Sequence, residues 1–232
     1  MFFLGSAAGL SQSLLSALLL TLTILLGLGM TFLVSRLLSA TVLKGIPSSF
    51  TLELPPYRRP QLGKVLVRSV FDRTLFVLGR AITVAAPAGI LLWVMANIGV
   101  NGQSLLAWAS GFLDPLGRFM GLDGVILIAF ILGFPANEIV IPIIIMAYLA
   151  NGSLIEMNSL SAMKDLFLAQ GWTLTTAVCT LIFVLFHWPC STTCLTIYKE
   201  TKSLKWTLAA IAIPTVCGIL CCSAAAFVLR LF

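Results

Sequence analysis

The stretch Gly124-Val-Ile-Leu-Ile-Ala-Phe-Ile-Leu-Gly-Phe134 is apolar, and Pro135-Ala136-Asn137-Glu138 interrupts it before the apolar run resumes from Ile139 to Tyr148. At the helical rise, an arm of about 11 residues reaches roughly 16 Å, which is about half of the apolar core of a bilayer. Neither arm can cross a membrane alone. The segment therefore predicts either one broken spanning helix or a re-entrant hairpin with its tip at mid-membrane.

A second apolar run, from Thr173 to Phe186, is interrupted by His187-Trp188-Pro189-Cys190-Ser191-Thr192-Thr193-Cys194 and then continues to Tyr198. Backbone without internal hydrogen bonds is tolerated in hydrocarbon only where it is buried in protein or lines a wet cavity. Such interruptions are typical of transporter binding sites. The two breaks together predict that the chain is part of a transporter.

The composition indicates an integral membrane protein. Hydrophobic residues make up 59% and charged residues 9% of the chain, and its mean hydropathy is +1.08, whereas soluble domains carry about 25% charged residues. The segment from Leu105 to Met120 is too short to span and predicts an interfacial helix. The predicted fold class is all-α, with a re-entrant hairpin and a broken transmembrane helix. Three further runs are long enough to span, from Leu14 to Val34, from Leu75 to Ile98 and from Trp206 to Leu229.

The charges of the chain, which sum to +6, are unevenly placed. Seven basic and two acidic residues lie from Arg36 to Arg73, so the positive-inside rule places this segment in the cytoplasm. Prolines at 55, 56 and 60 favour an extended connector, and apolar residues at helical spacing from Leu66 to Arg73 predict an interfacial helix. The predicted domains are an N-terminal transmembrane helix (1–37), a basic cytoplasmic connector with an interfacial helix (38–74), and a repeat of helix, hairpin, broken helix and helix (75–232).

Charge placement also favours the hairpin over a broken span at the first break. If that segment spanned, the second would run outward and place Lys199, Lys202 and Lys205 outside, against the positive-inside rule. Transporter folds commonly need two such units, and residues 1–100 contain no second copy of either break. The sequence therefore predicts a partner chain or a homo-oligomer within membrane lipid, and no nucleic-acid partner.

Glu138 is the strongest candidate for a functional side chain, because a carboxylate near mid-bilayer costs several kcal/mol unless it is paired, hydrated or protonated. Acids at such positions are commonly ion or proton sites, and Asn137 adds an amide that can coordinate a cation. The alternative is a structural pair between Glu138 and Arg80 or a backbone amide.

The second break offers thiol and imidazole donors, which suit Fe, Zn or Cu better than Mg or Ca. Cys190 and Cys194 lie one helical turn apart, whereas Pro189 disturbs the register of His187. The alternative for the cysteines is inert packing. The predicted metal ligands are Glu138, Asn137, Cys190, Cys194 and His187, and the predicted pore-lining residues are Pro135, Ser191, Thr192 and Thr193.

Five motifs occur in order along the chain: Glu53-Leu-Pro-Pro-Tyr-Arg-Arg-Pro60, Asp72-Arg-Thr-Leu-Phe-Val-Leu-Gly-Arg80, Gly133-Phe-Pro-Ala-Asn-Glu-Ile-Val140, Pro189-Cys-Ser-Thr-Thr193 and Lys199-Glu-Thr-Lys-Ser-Leu-Lys-Trp206. They resemble the C-terminal membrane portion of the FeoB family, the ferrous iron transport proteins B. The resemblance implies a second Gate repeat, Fe(II) as the transported substrate without a permanently bound cofactor, and a bacterial cytoplasmic (inner) membrane location. It also implies a partner with the first Gate repeat and a GTPase.

Other functions remain open at this point. A Gate-type transporter half for a nucleoside or another organic solute would use Glu138 and Asn137 as hydrogen-bonding groups. A truncated remnant or an assembly subunit would not transport. The P-loop pattern is absent from the sequence, so we do not expect this chain to be an enzyme that hydrolyses nucleotide.

Overall fold

The computed structural model describes residues 10–42, 63, 67–68, 71, 74–100, 102–150 and 159–231. Most residues of the predicted connector, and of the predicted interfacial helix from Leu66 to Arg73, lie outside these ranges. Within them, two short antiparallel strands, Gly99–Val100 (β1) and Gln103–Ser104 (β2), pair with each other, and a 3-10 helix occupies Asn137–Ile139. The α-helices are α1 (Leu10–Thr41), α2 (Phe76–Asn97), α3 (Leu105–Phe119), α4 (Gly124–Leu132), α5 (Val140–Leu149), α6 (Leu160–Ala169), α7 (Leu174–Phe186), α8 (Ser191–Thr201) and α9 (Leu204–Leu231).

The lengths of these helices agree with a membrane protein. Three described stretches are long and apolar enough to cross a bilayer, namely Ser13–Thr41, Leu174–Thr201 and Leu204–Leu231. The second of these contains the predicted break, because residues 187–190 between α7 and α8 are not helical. The predicted all-α membrane fold is therefore confirmed.

A bend of 111° separates α3 from α4. Each helix begins at a capping side chain, since Ser104 Oγ accepts from the Ala107 amide at 3.2 Å and Asp123 Oδ1 accepts from the Ile126 amide at 2.6 Å. α3 ends one residue before the predicted boundary at Met120. Because of this bend, α3 packs against the side of α4 and the two do not form one continuous helix.

The segment around the first break is a hairpin. α4 and α5 flank a turn at residues 133–136. The start of the first arm meets the end of the second, because the Tyr148 hydroxyl donates a hydrogen bond to Asp123 Oδ2. A single broken span would separate these side chains by the length of both arms. The hairpin alternative, which the lysine positions favoured, is therefore confirmed.

The hairpin forms the centre of the packed core. Phe130 of α4 meets Phe183 of α7 with ring centroids 4.8 Å apart in an edge-to-face arrangement. α7 also packs against α9, where the thiols of Cys179 and Cys222 each point at the other residue's carbonyl oxygen, at 3.7 and 3.3 Å. The most deeply buried side chains of the hairpin include Ile126, Ala129, Ile143 and Ile144.

α1 stands apart from this core. Most of its described side chains are exposed, among them Leu18 and Phe32. It approaches α7 where Gly27 faces Leu185, and a Cβ atom at position 27 would lie 2.8 Å from Leu185 Cδ2. α1 therefore faces lipid or another chain over most of its surface.

The contact between α3 and α4 depends on Gly124. A Cβ atom built at this position would lie 1.9 Å from the carbonyl oxygen of Ser110, far inside van der Waals contact. The Gly124 amide meanwhile donates to Asp114 Oδ1 at 3.2 Å. A side chain at 124 must therefore push the two helices apart and stretch this hydrogen bond.

Replacing Gly124 by alanine (G124A) should destabilise the folded protein by about 1–3 kcal/mol, the usual cost of overpacking. Gly111 of α3 is the matched control, because no described neighbour lies within 4 Å of a Cβ built there. G111A should leave stability unchanged or raise it slightly, since alanine favours helix. The melting temperature of each variant is measured in detergent, by gel filtration of a fluorescent fusion after heating. Equal melting temperatures for wild type and G124A would contradict the packing argument.

Candidate functional site

The hairpin turn lies at the first break. α4 ends at Leu132 with Gly133 as its C-cap, and the Ala136 amide closes a tight turn onto the Gly133 carbonyl at 3.0 Å. Pro135 is half-buried within this turn. The turn is shorter than the predicted interruption, because Asn137 and Glu138 already belong to the 3-10 helix.

The second break separates α7 from α8. Cys190 is the residue before α8, and its thiol lies 3.1 Å from Thr192 Oγ1 and 3.2 Å from Thr193 Oγ1. The Cys194 amide donates to the Cys190 carbonyl at 3.0 Å, and the Cys194 thiol lies 3.4 Å from the Pro189 carbonyl. The predicted one-turn spacing of the two thiols is therefore confirmed.

His187 occupies the second break, and one backbone contact orients its ring. Nδ1 lies 2.7 Å from the carbonyl oxygen of Val184, which can only accept, so Nδ1 is the donor in this contact. Nε2 is buried and has no hydrogen-bond partner among the described residues, and the same is true of the indole Nε1 of Trp188. The imidazole lies beside the hairpin, with its ring centroid 5.5 Å from that of Phe130, and a neutral ring would have its lone pair on the buried Nε2.

The two breaks touch through backbone groups that the interrupted helices leave without helical partners. The amide of Ser191 donates to the carbonyl oxygen of Phe134 at 2.9 Å, and the Ser191 hydroxyl donates to the Pro135 carbonyl at 3.5 Å. We call this contact of Phe134, Pro135 and Ser191 the break junction. It brings together Pro135 and Ser191, two of the residues predicted to line the pore.

Asn137 and Glu138 follow the junction on the 3-10 helix, and both are exposed on this chain. A carboxylate at membrane depth needs water or a partner against it. The side chain of Arg80, the alternative partner of Glu138, lies outside the described residues. No three His, Cys, Asp or Glu side chains in the described ranges are grouped so as to hold a metal ion. The predicted ligand set of the two breaks stays a prediction.

A second polar cluster, which the sequence did not reveal, lies at the opposite end of the hairpin. Hydrogen bonds join Asp123, Tyr148 and Trp172 there, and Asp114 and Arg118 form an ion pair at 2.7 Å. A cavity of about 400 Å³ lies between these residues and the end of α6. The available sequence signal was Asp123 directly before an apolar run, which is a typical N-cap position.

Two family profiles match the chain. The Gate family, described as nucleoside recognition, matches residues 78–204, which is more than half of the chain. The family of the ferrous iron transport protein B C terminus matches residues 20–72. None of the solved structures matches the chain significantly.

Curated relatives carry the name Fe(2+) transporter FeoB. The protein of Staphylococcus aureus (strain COL) is 31% identical over 177 residues, which cover 72% of this chain and 25% of the relative. The protein of Synechocystis is 31% identical over 170 residues, with 72% and 26% covered. That of Leptospira interrogans is 28% identical over 186 residues, with 69% and 26% covered. The chain thus spans about a quarter of the length of these relatives; it belongs to the Gate family and corresponds to the C-terminal membrane portion of the FeoB transporters.

Proposed function

We propose that the chain is the membrane permease portion of a ferrous iron uptake transporter of the bacterial cytoplasmic membrane, and that it contributes half of the translocation site. The observation that carries this proposal is the break junction, where the Ser191 amide donates to the Phe134 carbonyl at 2.9 Å. Interrupted helices that meet in this manner are typical of transporter binding sites. The relatives' name, Fe(2+) transporter FeoB, suggests the substrate.

The helix lengths support a position of the junction near mid-membrane. From the base of the hairpin, α4 has nine residues and reaches about 14 Å, while α7 has 13 residues and reaches about 20 Å. Half of a bilayer core is about 15 Å. Both breaks would therefore lie where an ion can be held only by protein groups and a few waters.

The donors near the junction suit a borderline metal ion. The hairpin offers the Glu138 carboxylate and the Asn137 amide, and the second break offers the thiols of Cys190 and Cys194 and the Nε2 lone pair of His187. Thiol and imidazole favour Fe(II) over Mg(II) or Ca(II). The carboxylate would supply negative charge in place of hydration water. Fe(II) is the transported substrate in this proposal and is not permanently bound.

The exposure of Asn137 and Glu138 supports a second unit against the junction. One repeat of a Gate-type transporter leaves one side of its breaks uncovered. We propose that this side is covered by a chain carrying the first Gate repeat and a GTPase, or by another copy of this chain. In this proposal, any GTP hydrolysis takes place on the partner that carries the GTPase.

A second candidate is transport of a nucleoside or a similar organic solute. The description of the Gate family as nucleoside recognition favours it. In that case Asn137 and Glu138 would form hydrogen bonds to the solute, and no thiol would be needed. Uptake of labelled uridine, compared with uptake of Fe(II) by the same membranes, separates the two functions.

Replacing Glu138 by alanine (E138A) should abolish Fe(II) uptake by the assembled transporter, because no other carboxylate lies in either break. Uptake of radioactive iron, kept ferrous with ascorbate, is measured in cells that lack other ferrous transporters. Glu200, an exposed acid near the end of α8, is the matched control, and E200A should transport normally.

The amount of folded protein in the membrane must be equal for wild type, E138A and E200A. Normal iron uptake by E138A would show that the Glu138 carboxylate is not part of the translocation site. Equal loss in E138A and E200A would indicate a general effect of surface charge instead.

Replacing Cys190 by serine (C190S) should weaken Fe(II) uptake relative to Mn(II) uptake, because an oxygen donor replaces a softer thiol. Some uptake of each metal should remain. C221S is the matched control, since Cys221 lies on α9 and belongs to neither break. Competition of the two metals in one uptake assay gives the ratio directly. An equal loss of Fe(II) uptake and Mn(II) uptake in C190S would indicate that Cys190 acts in packing or gating rather than as a metal ligand.

The single chain, reconstituted into liposomes as a monomer, should not transport Fe(II), because the uncovered side of the junction would face lipid. Adding the partner chain, or conditions that favour a homodimer, should restore uptake. Quenching of an iron-sensitive dye inside the liposomes measures entry. Fe(II) entry through the monodisperse monomer would contradict the need for a second unit.

A further inference from the structure

The base of the hairpin is closed by a single hydroxyl group that joins three elements. The Tyr148 hydroxyl, near the end of α5, donates to Asp123 Oδ2 just before α4. It accepts from Nε1 of Trp172, just before α7, at 2.7 Å. We call these three residues the basal clamp.

The members of the basal clamp are themselves held firmly. Asp123 uses its other oxygen to accept from the Ile126 amide at 2.6 Å. Trp172 is buried and stacks on Phe167 with ring centroids 4.3 Å apart and planes within 10°. The Tyr148 ring meets the same Phe167 edge-to-face at 6.4 Å. The clamp is therefore a packed and hydrogen-bonded unit rather than a chance surface contact.

The basal clamp and the break junction are connected by two stiff helices. α4 begins directly after Asp123 and ends at the hairpin turn, and α7 begins two residues after Trp172 and ends at the second break. Phe130 and Phe183 hold these helices together between the two ends, at 4.8 Å. Since a helix has a fixed rise per residue, a shift of one arm at the clamp is transmitted to its break.

We propose that Asp123, Tyr148 and Trp172 are positioning residues for the translocation site: by fixing the bases of α4 and α7 to one another, they set the register in which the two breaks meet. The proposal rests on the proposed function for its consequence in transport. Its geometric part, the dependence of the junction on the clamp, can be tested without any transport measurement.

Y148F is the decisive variant, because it removes the shared hydroxyl and keeps the ring against Phe167. It removes the donor to the half-buried Asp123 carboxylate and the Tyr148 acceptor of the Trp172 indole N–H, so we expect the junction to open about tenfold more often. Hydrogen exchange of the Ser191 amide, resolved by mass spectrometry on the full chain in lipid nanodiscs, reports this opening. Amides in the middle of α9 serve as the internal reference for global unfolding.

Y198F is the matched control, because Tyr198 is an exposed tyrosine on α8 outside the clamp. W172F is the second variant, since it keeps an aromatic ring against Phe167 and removes the N–H donor, and W206F is its control on α9. Faster exchange at Ser191 in both clamp variants, with unchanged α9 amides and unchanged controls, is the expected result.

Two results would overturn the proposal. One is unchanged exchange at Ser191 in Y148F and W172F, and the other is an equal increase at Ser191 and in α9, which indicates a loss of overall stability only. Iron uptake by the same variants tests the proposed function separately. Faster Ser191 exchange with a raised KM for Fe(II) supports both, whereas faster exchange with unaltered uptake supports the positioning role and counts against a translocation site at the junction.

Discussion

An interrupted helix leaves backbone groups that need new partners, and the bond from the Ser191 amide to the Phe134 carbonyl supplies one for two segments at once. Each break therefore gives the other a hydrogen-bond partner. The hairpin needs a donor for the carbonyls of its turn, and α8 needs an acceptor for its first amide. The arrangement of α4, α5 and α7 around each other follows from this mutual requirement.

The hairpin and α7 have groups of polar side chains at two levels, with mostly apolar packing between them. One level is the break junction with the neighbouring threonine hydroxyls and cysteine thiols, and the other is the basal clamp with the ion pair of Asp114 and Arg118. Between them the hairpin and α7 present almost only aliphatic and aromatic side chains, with Phe130 and Phe183 at the centre. The apolar layer stabilises the packing of the hairpin on α7. The polar contacts at its two ends fix how far these helices are shifted along one another.

Local patterns in the sequence predicted the long apolar helices, both breaks and the hairpin, because apolar runs, prolines and lysine positions are local signals. The basal clamp was not predictable in the same way, since Tyr148 and Trp172 lie 25 and more residues from Asp123 and their pairing depends on how the hairpin folds. The 3-10 helix at Asn137–Ile139 and the helix Leu160–Ala169 were also missed. Short elements of this kind are decided by tertiary contacts rather than by periodicity.

The loose attachment of α1 has a consequence for the lipid environment. The helix has 32 residues and a length of about 48 Å, so in an apolar core of about 30 Å it must tilt or project from the bilayer. Because it approaches the packed core at Gly27 and Leu185, its tilt can follow the thickness of the membrane while the hairpin stays in place. Hydrophobic mismatch in thin or thick bilayers would therefore be absorbed by α1.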